Sequence, residues 1–372
     1  MKKDLDLLRK RLCEINTTRY CGTIREKTDR CVEWCETMGD DGLWQDVNHT
    51  CYNLMDWQAA DHLSRLLFMS MVWSDDTSEL CGDNALLRLI TRGLDAWYDL
   101  SPQNPNWWWM EIGIQQKLAG ILLYVSRFCD SSYVERAIPA FVAHEPATRY
   151  TGQNLVWVAM IAVSHGVLVE DRELISHGLN LVHRELRIMA RSEGLQPDTS
   201  FFQHGLLLYS GGYGQSFASL VAQALWIASG TGFEQPDQVE KIELLSRFIL
   251  DGSRWMIRGS TFDYSAVGRE ISRAGHSAVN LFHGAAYLAK IDNKRRAELL
   301  ELADSPKTKS MPLKGNRMFW CADYMTHHRA GYSITVRVPS TRLINVDFAC
   351  CGGEGRVCHH MAEGATFIYC DG

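Results

Sequence analysis

The sequence predicts a mainly α chain, built of helical hairpins, that ends in a short antiparallel β part. Two observations lead there. Apolar residues recur at helical spacing from about residue 3 to residue 250, and beyond residue 305 that period gives way to the alternation of half-buried strands. A composition of 46% hydrophobic and 22% charged residues over 372 positions provides for a large core and excludes a disordered or low-complexity chain.

The helical runs come in order. Leu66, Leu67, Met69, Met71 and Val72 lie in one, and Leu86, Leu87, Leu89, Ile90, Leu94 and Trp97 in a second. Ile112, Leu118, Ile121, Leu122 and Val125 form a third, followed by runs over 156–167, 174–189 and 217–227. The breaks between them are short and rich in Gly, Asp, Asn and Ser, as antiparallel helical hairpins require. No exact repeat relates the hairpins. The stretch SPKTKSMPLKGN (residues 305–316) is polar, holds two of the nine prolines and reads as a linker. It divides the chain into a helical domain, 1–308, and a β part, 309–372. In the latter, GYSITVRVPSTRLINVDFA has a strand, turn, strand pattern. Two or three strands make no stable sheet alone, so the β part is expected to be incomplete or to lean on the helices.

Charge and cysteine content narrow the partners. A net charge of -6 gives no footprint for nucleic acid. The N-terminal segment MKKDLDLLRKRLCEI lacks the apolar stretch of a signal peptide, and the run over residues 66–73 is too short to span a bilayer. A soluble monomer without membrane contact is expected. The 12 cysteines have no framework-like spacing, which favours reduced thiols.

Four motifs could carry chemistry. In NPNWWWMEIG (residues 104–113), three successive tryptophans cannot all face one core, because helical neighbours lie about 100° apart. They pack a helix start or form a platform for sugar rings. TGQN (residues 151–154) opens a helix, where Asn154 either caps it or meets a carboxylate at the positive end of the dipole. DTSFFQHGLLLYSGGYG (residues 198–214) places His204 and Tyr213 beside a Gly-Gly turn that lets backbone approach a ligand closely. GREISR (residues 268–273) holds Arg269 and Arg273, a pair suited to carboxylate recognition or to plain ion pairing on a helix face.

Together and in order, these motifs resemble polysaccharide lyase family 8, the hyaluronate, chondroitin AC and xanthan lyase type. The resemblance continues through HHRAGYSITVRVPSTR and GGEGRVCHHMAEGATFIY, and so covers roughly residues 100–372. It implies an incomplete (α/α) toroid of helical hairpins followed by the start of an antiparallel β-sandwich domain. It also implies β-elimination on a uronic-acid-containing polysaccharide, with no cofactor and no metal. By motif position Asn154 matches the carboxylate-binding Asn, His204 and Tyr213 the catalytic His and Tyr, and Arg269 and Arg273 the arginines beside the site. Glu354 matches the acidic residue of the β domain, and Trp107 and Trp108 the aromatic patch, with Asn106 and Gln203 as further substrate contacts. The sequence departs from the family where a proline usually follows EIG, here Gln115, and where Asn-Gly-Glu-Asn reads Gly352, Gly353, Glu354, Gly355. Family members are usually exported.

Residue chemistry points the same way. Loss of the C5 proton of a uronate builds negative charge that an amide and an arginine stabilise. Tyr213, with an ordinary pKa of ~10, needs cationic or hydrogen-bonding neighbours to act as a base. Hydrolysis would need an exposed carboxylate pair, which these motifs lack. The alternative is a catalytically weak carbohydrate-binding protein that keeps the groove. Cys350, Cys351, Cys358, His359 and His360 crowd together, but adjacent cysteines do not suit a tetrahedral zinc site, and packing is the simpler expectation.

Overall fold

Helix α3 (Ala59–Ser74) carries buried side chains all round, among them Leu63, Leu66, Phe68, Met69 and Val72, and such a helix must be enclosed by protein. Helices α1 (Lys2–Thr18), α2 (Ile24–Thr37), α4 (Asn84–Leu100) and α5 (Ile114–Val125) all pack on it. Helix α4 buries a single stripe, Leu86, Ile90, Leu94 and Trp97, and Asp83 caps it by accepting from Leu86 N at 2.7 Å. A capping box between Thr23 and Glu26 starts α2. The short α6 (Ser132–Ala137) follows α5.

This computed structural model describes residues 2–18, 20, 22–137, 149–308, 313–345, 347, 355 and 360–370. The chain divides into two compact units, Met1–His144 with Ile161–Gly178, and Glu145–Met160 with Leu179–Gly372. Helices α7 (Gly152–Leu168) and α8 (Arg172–Glu185) give residues to both. Among the described residues no helix is long and apolar enough to cross a membrane.

In the second unit α9 (Gln215–Ala228) and α11 (Val279–Leu288) pack together, and Phe217, Val221, Leu281 and Ala285 on them are fully buried. Helices α10 (Gln238–Ser246) and α12 (Arg296–Thr308) flank them. The helical run expected to reach residue 189 stops at Glu185. From there to residue 214 the chain forms the two-residue strands β1 (Gly194–Leu195) and β2 (Phe201–Phe202), then a π-helical turn, Ser210–Gly214. A second hairpin joins β3 (Ile257–Arg258) to β4 (Thr261–Phe262).

The expected linker is shorter than the sequence suggests, because α12 runs through Pro306 to Thr308 and a strand starts at Gly315. Pro306 cannot donate to the carbonyl of Leu302, and the Ser305 hydroxyl takes that acceptor instead at 2.8 Å. Strands β5 (Gly315–Phe319), β6 (Tyr324–His328), β7 (Tyr332–Arg337) and β8 (Ala365–Cys370) form one antiparallel sheet in that order. Of the strand, turn, strand pattern, β7 forms among the described residues. The described residues of the second run, 343–345, are not strand, and Ile344 N donates to Leu206 O at 3.1 Å instead. The inner sheet face does lean on helical segments of its own unit. Arg337 donates to Ser265 O at 2.7 Å, Thr335 to Asp263 Oδ1 at 2.7 Å, and His328 Nε2 to Trp255 O at 2.9 Å.

Candidate active site

The segment that breaks the helical period carries His204 and Tyr213. His204 has φ 58°, in the left-handed region, and Gly205 follows at φ 83°. That conformation costs a residue with a Cβ, so it survives only where neighbours impose it. Nine residues on, the π-helical turn presents Tyr213, and Gly212 is needed there. A Cβ on Gly212 would lie 2.4 Å from the Tyr209 ring and 2.5 Å from Glu270 Oε1. The rings of His204 and Tyr213 meet edge to face at 4.8 Å, and Tyr209 packs on Tyr213 at 4.9 Å.

Arg269 joins these groups. It sits in a 3₁₀ turn, Gly268–Ser272, and not on an α-helix face shared with Arg273. One terminal nitrogen lies 3.3 Å from the Tyr213 hydroxyl, and the other donates to Asp347 Oδ2 at 2.9 Å. The same Oδ2 lies 2.8 Å from His204 Nδ1, and Arg269 also approaches Nδ1 at 3.3 Å. Nδ1 cannot both donate and accept, and the shorter contact places its hydrogen toward Asp347. Nε2 is then the nitrogen left for a substrate. Asp347 and Arg269 side chains are 1% and 7% exposed, so the pair is an ion pair taken out of water and held by further hydrogen bonds.

The tyrosine's acidity follows from this setting. Burial pushes the Tyr213 pKa up, Arg269 opposes it, and Glu270 and Asp347 add to the rise, leaving it at about 12. The cation expected from the sequence is present, but desolvation outweighs it. Glu270 is itself tied to Arg273 at 3.6 Å and to His276 at 3.3 Å.

Asn154 stands on the first turn of α7. Trp157, one turn further along the same face, packs its ring on Tyr213 at 5.8 Å. The Asn154 Oδ1 is buried with no hydrogen-bond partner among the described residues. The backbone at this helix start is already committed, because Gly152 N donates to Glu185 at 2.6 Å and Gln153 N to Gln203 Oε1 at 2.9 Å. A carboxylate would therefore meet the Asn154 side chain rather than these two N–H groups. Gln203 is 1% exposed, and its amide spans Gln153 and Glu193, so it links loops and faces no solvent.

Other residues singled out from the sequence take no part in these contacts as far as they are described. Trp107, Trp108 and Asn106 belong to the first unit. Trp107 is 39% exposed, whereas Trp109 packs on Trp57 at 5.9 Å and donates to Leu54 O at 3.2 Å. Asn106 is engaged with Leu54 O and Trp108 N at 2.8 and 3.1 Å. Glu354 lies outside the described residues, as do Cys350, Cys351, Cys358 and His359. His360 is described and pairs with Glu363 at 2.7 Å. Among the described residues no group of three or more His, Cys, Asp or Glu side chains could hold a metal ion.

Sequence reasoning missed Asp347, Glu270 and Tyr209. Glu270 sits inside the GREISR motif between the chosen arginines. Asp347 carries a signal too, since a lone carboxylate in the apolar run LINVDFA must find a partner if that run is buried.

Among the described residues, the acids of this cluster, Asp347 and Glu270, are both tied to cations, so neither is free to flank a glycosidic bond. The groups left to move protons are a phenol and an imidazole, and a fold that holds them beside an arginine and an amide is equipped for proton transfer at a carbon acid. Residues 14–305 match the polysaccharide lyase family 8 N-terminal alpha-helical domain, and residues 314–372 the super-sandwich domain of that family. The chain belongs to polysaccharide lyase family 8. It is similar to Chondroitinase-AC of Pedobacter heparinus, 27% identical over 342 residues that cover 89% of this chain and 48% of that protein. It is also similar to the xanthan lyase of Bacillus sp. strain GL1, 24% identical over 62% of this chain and 27% of that one. The chain thus spans about half the length, or less, of these relatives. Among solved structures it superposes on a chondroitinase AC lyase with a TM-score of 0.88, at 24% identity over 99% of this chain and 55% of the other. The Streptomyces coelicolor A3 chondroitin AC lyase, solved with chondroitin sulphate, gives 0.83 at 22% identity over 99% and 57%. The fold class is accordingly the mainly helical α/α toroid followed by a β domain.

Proposed function

We propose that this chain is a carbon–oxygen lyase that cleaves a uronic-acid-containing polysaccharide by β-elimination, leaving an unsaturated uronyl end. The observation that carries the reading is the contact of Arg269 with both Tyr213 and Asp347, with His204 held by the same carboxylate. In the reaction the C5 proton of the uronate passes to Tyr213, the electron pair forms the C4–C5 double bond, and the bond from C4 to the glycosidic oxygen breaks. Tyr213 then returns a proton to that oxygen.

The Tyr213 pKa of about 12 suits the second half of this sequence, because the phenol keeps its proton until an alkoxide draws it. For the first half the phenolate must form, and Arg269 at 3.3 Å is the group that favours it. Asn154, with its unsatisfied Oδ1 and its place beside Trp157, faces the uronate carboxylate and stabilises the charge that develops there. His204 orients the sugar through Nε2, and Arg273 lies at the rim. Trp107 and Trp108 stack on sugar rings, and Asn106 holds the helix start that presents them. Residues 1–308, the expected catalytic domain, supply the proton-transfer groups, and 309–372, the β part with Glu354, supply Asp347. The substrate is an anionic polysaccharide of the chondroitin, hyaluronan or xanthan kind, taken up by a monomer, and no cofactor enters. The binding-only alternative has less support, because the proton-transfer groups are mutually in contact.

Incubation with chondroitin, hyaluronan and xanthan tests this. One of them is expected to yield the ultraviolet absorbance of a conjugated uronate, and Tyr213→Phe to lower that rate by about 10³-fold. Unchanged activity in Tyr213→Phe would assign proton transfer to another group.

A further inference from the structure

Glu193 has no place in the chemistry above, yet its carboxylate gathers donors from two separate loops. Oε1 accepts from Gly205 N at 2.7 Å. Oε2 accepts from Gln203 Nε2 at 2.6 Å and from the Thr151 hydroxyl. Gln203 in turn accepts from Gln153 N at 2.9 Å through Oε1. One carboxylate therefore joins the residues on both sides of His204 to the residues that immediately precede Asn154. The turn between Gln203 and Gly205 is the one whose left-handed φ values of 58° and 83° need outside support. Every donor that Glu193 receives is a neutral N–H or O–H, and both of its oxygens are used, which an amide cannot reproduce.

We propose that Glu193 is a positioning residue: it fixes the left-handed turn at His204 against the N-terminus of α7, and so sets His204 and Asn154 in register. The effect on turnover rests on the lyase reading. The clamp itself does not.

The test compares wild type, Glu193→Gln and the double variant Glu193→Gln/Gln203→Glu in the full chain. A single amide at 193 must turn its NH₂ toward either Gly205 N or Gln203 Nε2, both donors, so the Gly205 or the Gln153 amide loses its acceptor. The double variant exchanges the two head groups. The amide oxygen at 193 can still accept from Gly205 N, its NH₂ donates to the new carboxylate, and that carboxylate accepts from Gln153 N. The Thr151 hydroxyl can reverse its role, and the net charge is unchanged. In Glu193→Gln, hydrogen exchange at the Gly205 or Gln153 amide is expected to speed up by about tenfold or more. On the polymer that wild type cleaves, kcat should fall by about tenfold or more with KM within about threefold, as befits misplaced chemistry rather than lost binding. The double variant should restore both readouts to within about threefold of wild type, which a generally weakened fold would not do.

Exchange at both amides within about twofold of wild type in the single variant would overturn the proposal, and so would unchanged kcat. If Glu193→Gln does not fold, the double variant decides alone: wild-type exchange supports the clamp and rapid exchange removes it. If wild type cleaves no uronate polymer, the lyase reading fails, while the exchange arm still judges the clamp.

Discussion

In the first unit His62 sits among Trp44, Trp97 and His49; in the second, His204 sits among Tyr209 and Tyr213. Both are histidines boxed in by rings, at centroid distances between 4.8 and 5.8 Å. Their polar partners differ. His62 is fully buried, donates through Nε2 to Gly93 O at 2.8 Å and accepts at Nδ1 from His49 at 3.2 Å, all neutral bonds. Burial holds its pKa down to about 4. His204 keeps 21% of its side chain exposed and faces a buried carboxylate and an arginine. Aromatic enclosure alone makes a histidine part of the core. A compensated pair of opposite charges beside it, with one nitrogen left open, makes a site.

The comparison breaks hardest at Asp347. Asp347→Asn keeps the shape but leaves Arg269 as a buried charge with its carboxylate gone, for which a loss of about 3–5 kcal/mol in unfolding free energy is expected. Cleavage should slow by about 10²-fold as the hydrogen bond that orients His204 weakens. Urea titration and turnover measure the two, and a variant as stable and active as wild type would show that the ion pair organises nothing.

A second contrast lies among the tryptophans. Trp57 is 1% exposed and packs on Trp97 and Trp109, so Trp57→Ala should cost about 3–5 kcal/mol. Trp107→Ala, at a side chain 39% exposed, should cost less than about 1 kcal/mol while raising KM for the polymer. Equal losses of stability in the two would erase the division between core and platform.

The acid response of His62 is smaller than the losses expected at Asp347 and Trp57. Its folded pKa of about 4 lies below the ordinary value of 6.5, so the unfolded chain takes up the proton first. The deficit is absent above about pH 6.5 and grows as the pH falls toward about 4, reaching about 2–3 kcal/mol near pH 4.5. Denaturation midpoints at pH 7.5 and 4.5 measure it, and His62→Gln should remove that share of the loss. An acid loss as large in His62→Gln would place the sensitivity at other groups.

Much of the site was legible in local motifs. His204 and Tyr213 lie within one loop and turn, Asn154 was marked by a helix start, and Arg269 by its spacing from Arg273 in GREISR. What was not legible came from contacts across the chain. Asp347 meets His204 and Arg269 over separations of 143 and 78 residues, and Gln203, expected to touch substrate, turned out to be spent on the start of α7. The fold divides in the same way. The apolar period of α3 and α4 announces helices, but the π-helical turn at Tyr213 and the continuation of α12 through Pro306 depend on neighbours that no local pattern reveals.

Hydrophobic period and turn chemistry act over a few residues, so the helical runs, the strand-like segment after residue 314 and the motifs that hold His204 and Tyr213 were readable from the chain alone. Only the tertiary structure decided which acid compensates Arg269, which histidine is sealed and which stays open, and how far Tyr213 is pushed from its ordinary pKa. Those outcomes depend on desolvation and on charges brought together from distant positions, and neither exists until the chain has folded.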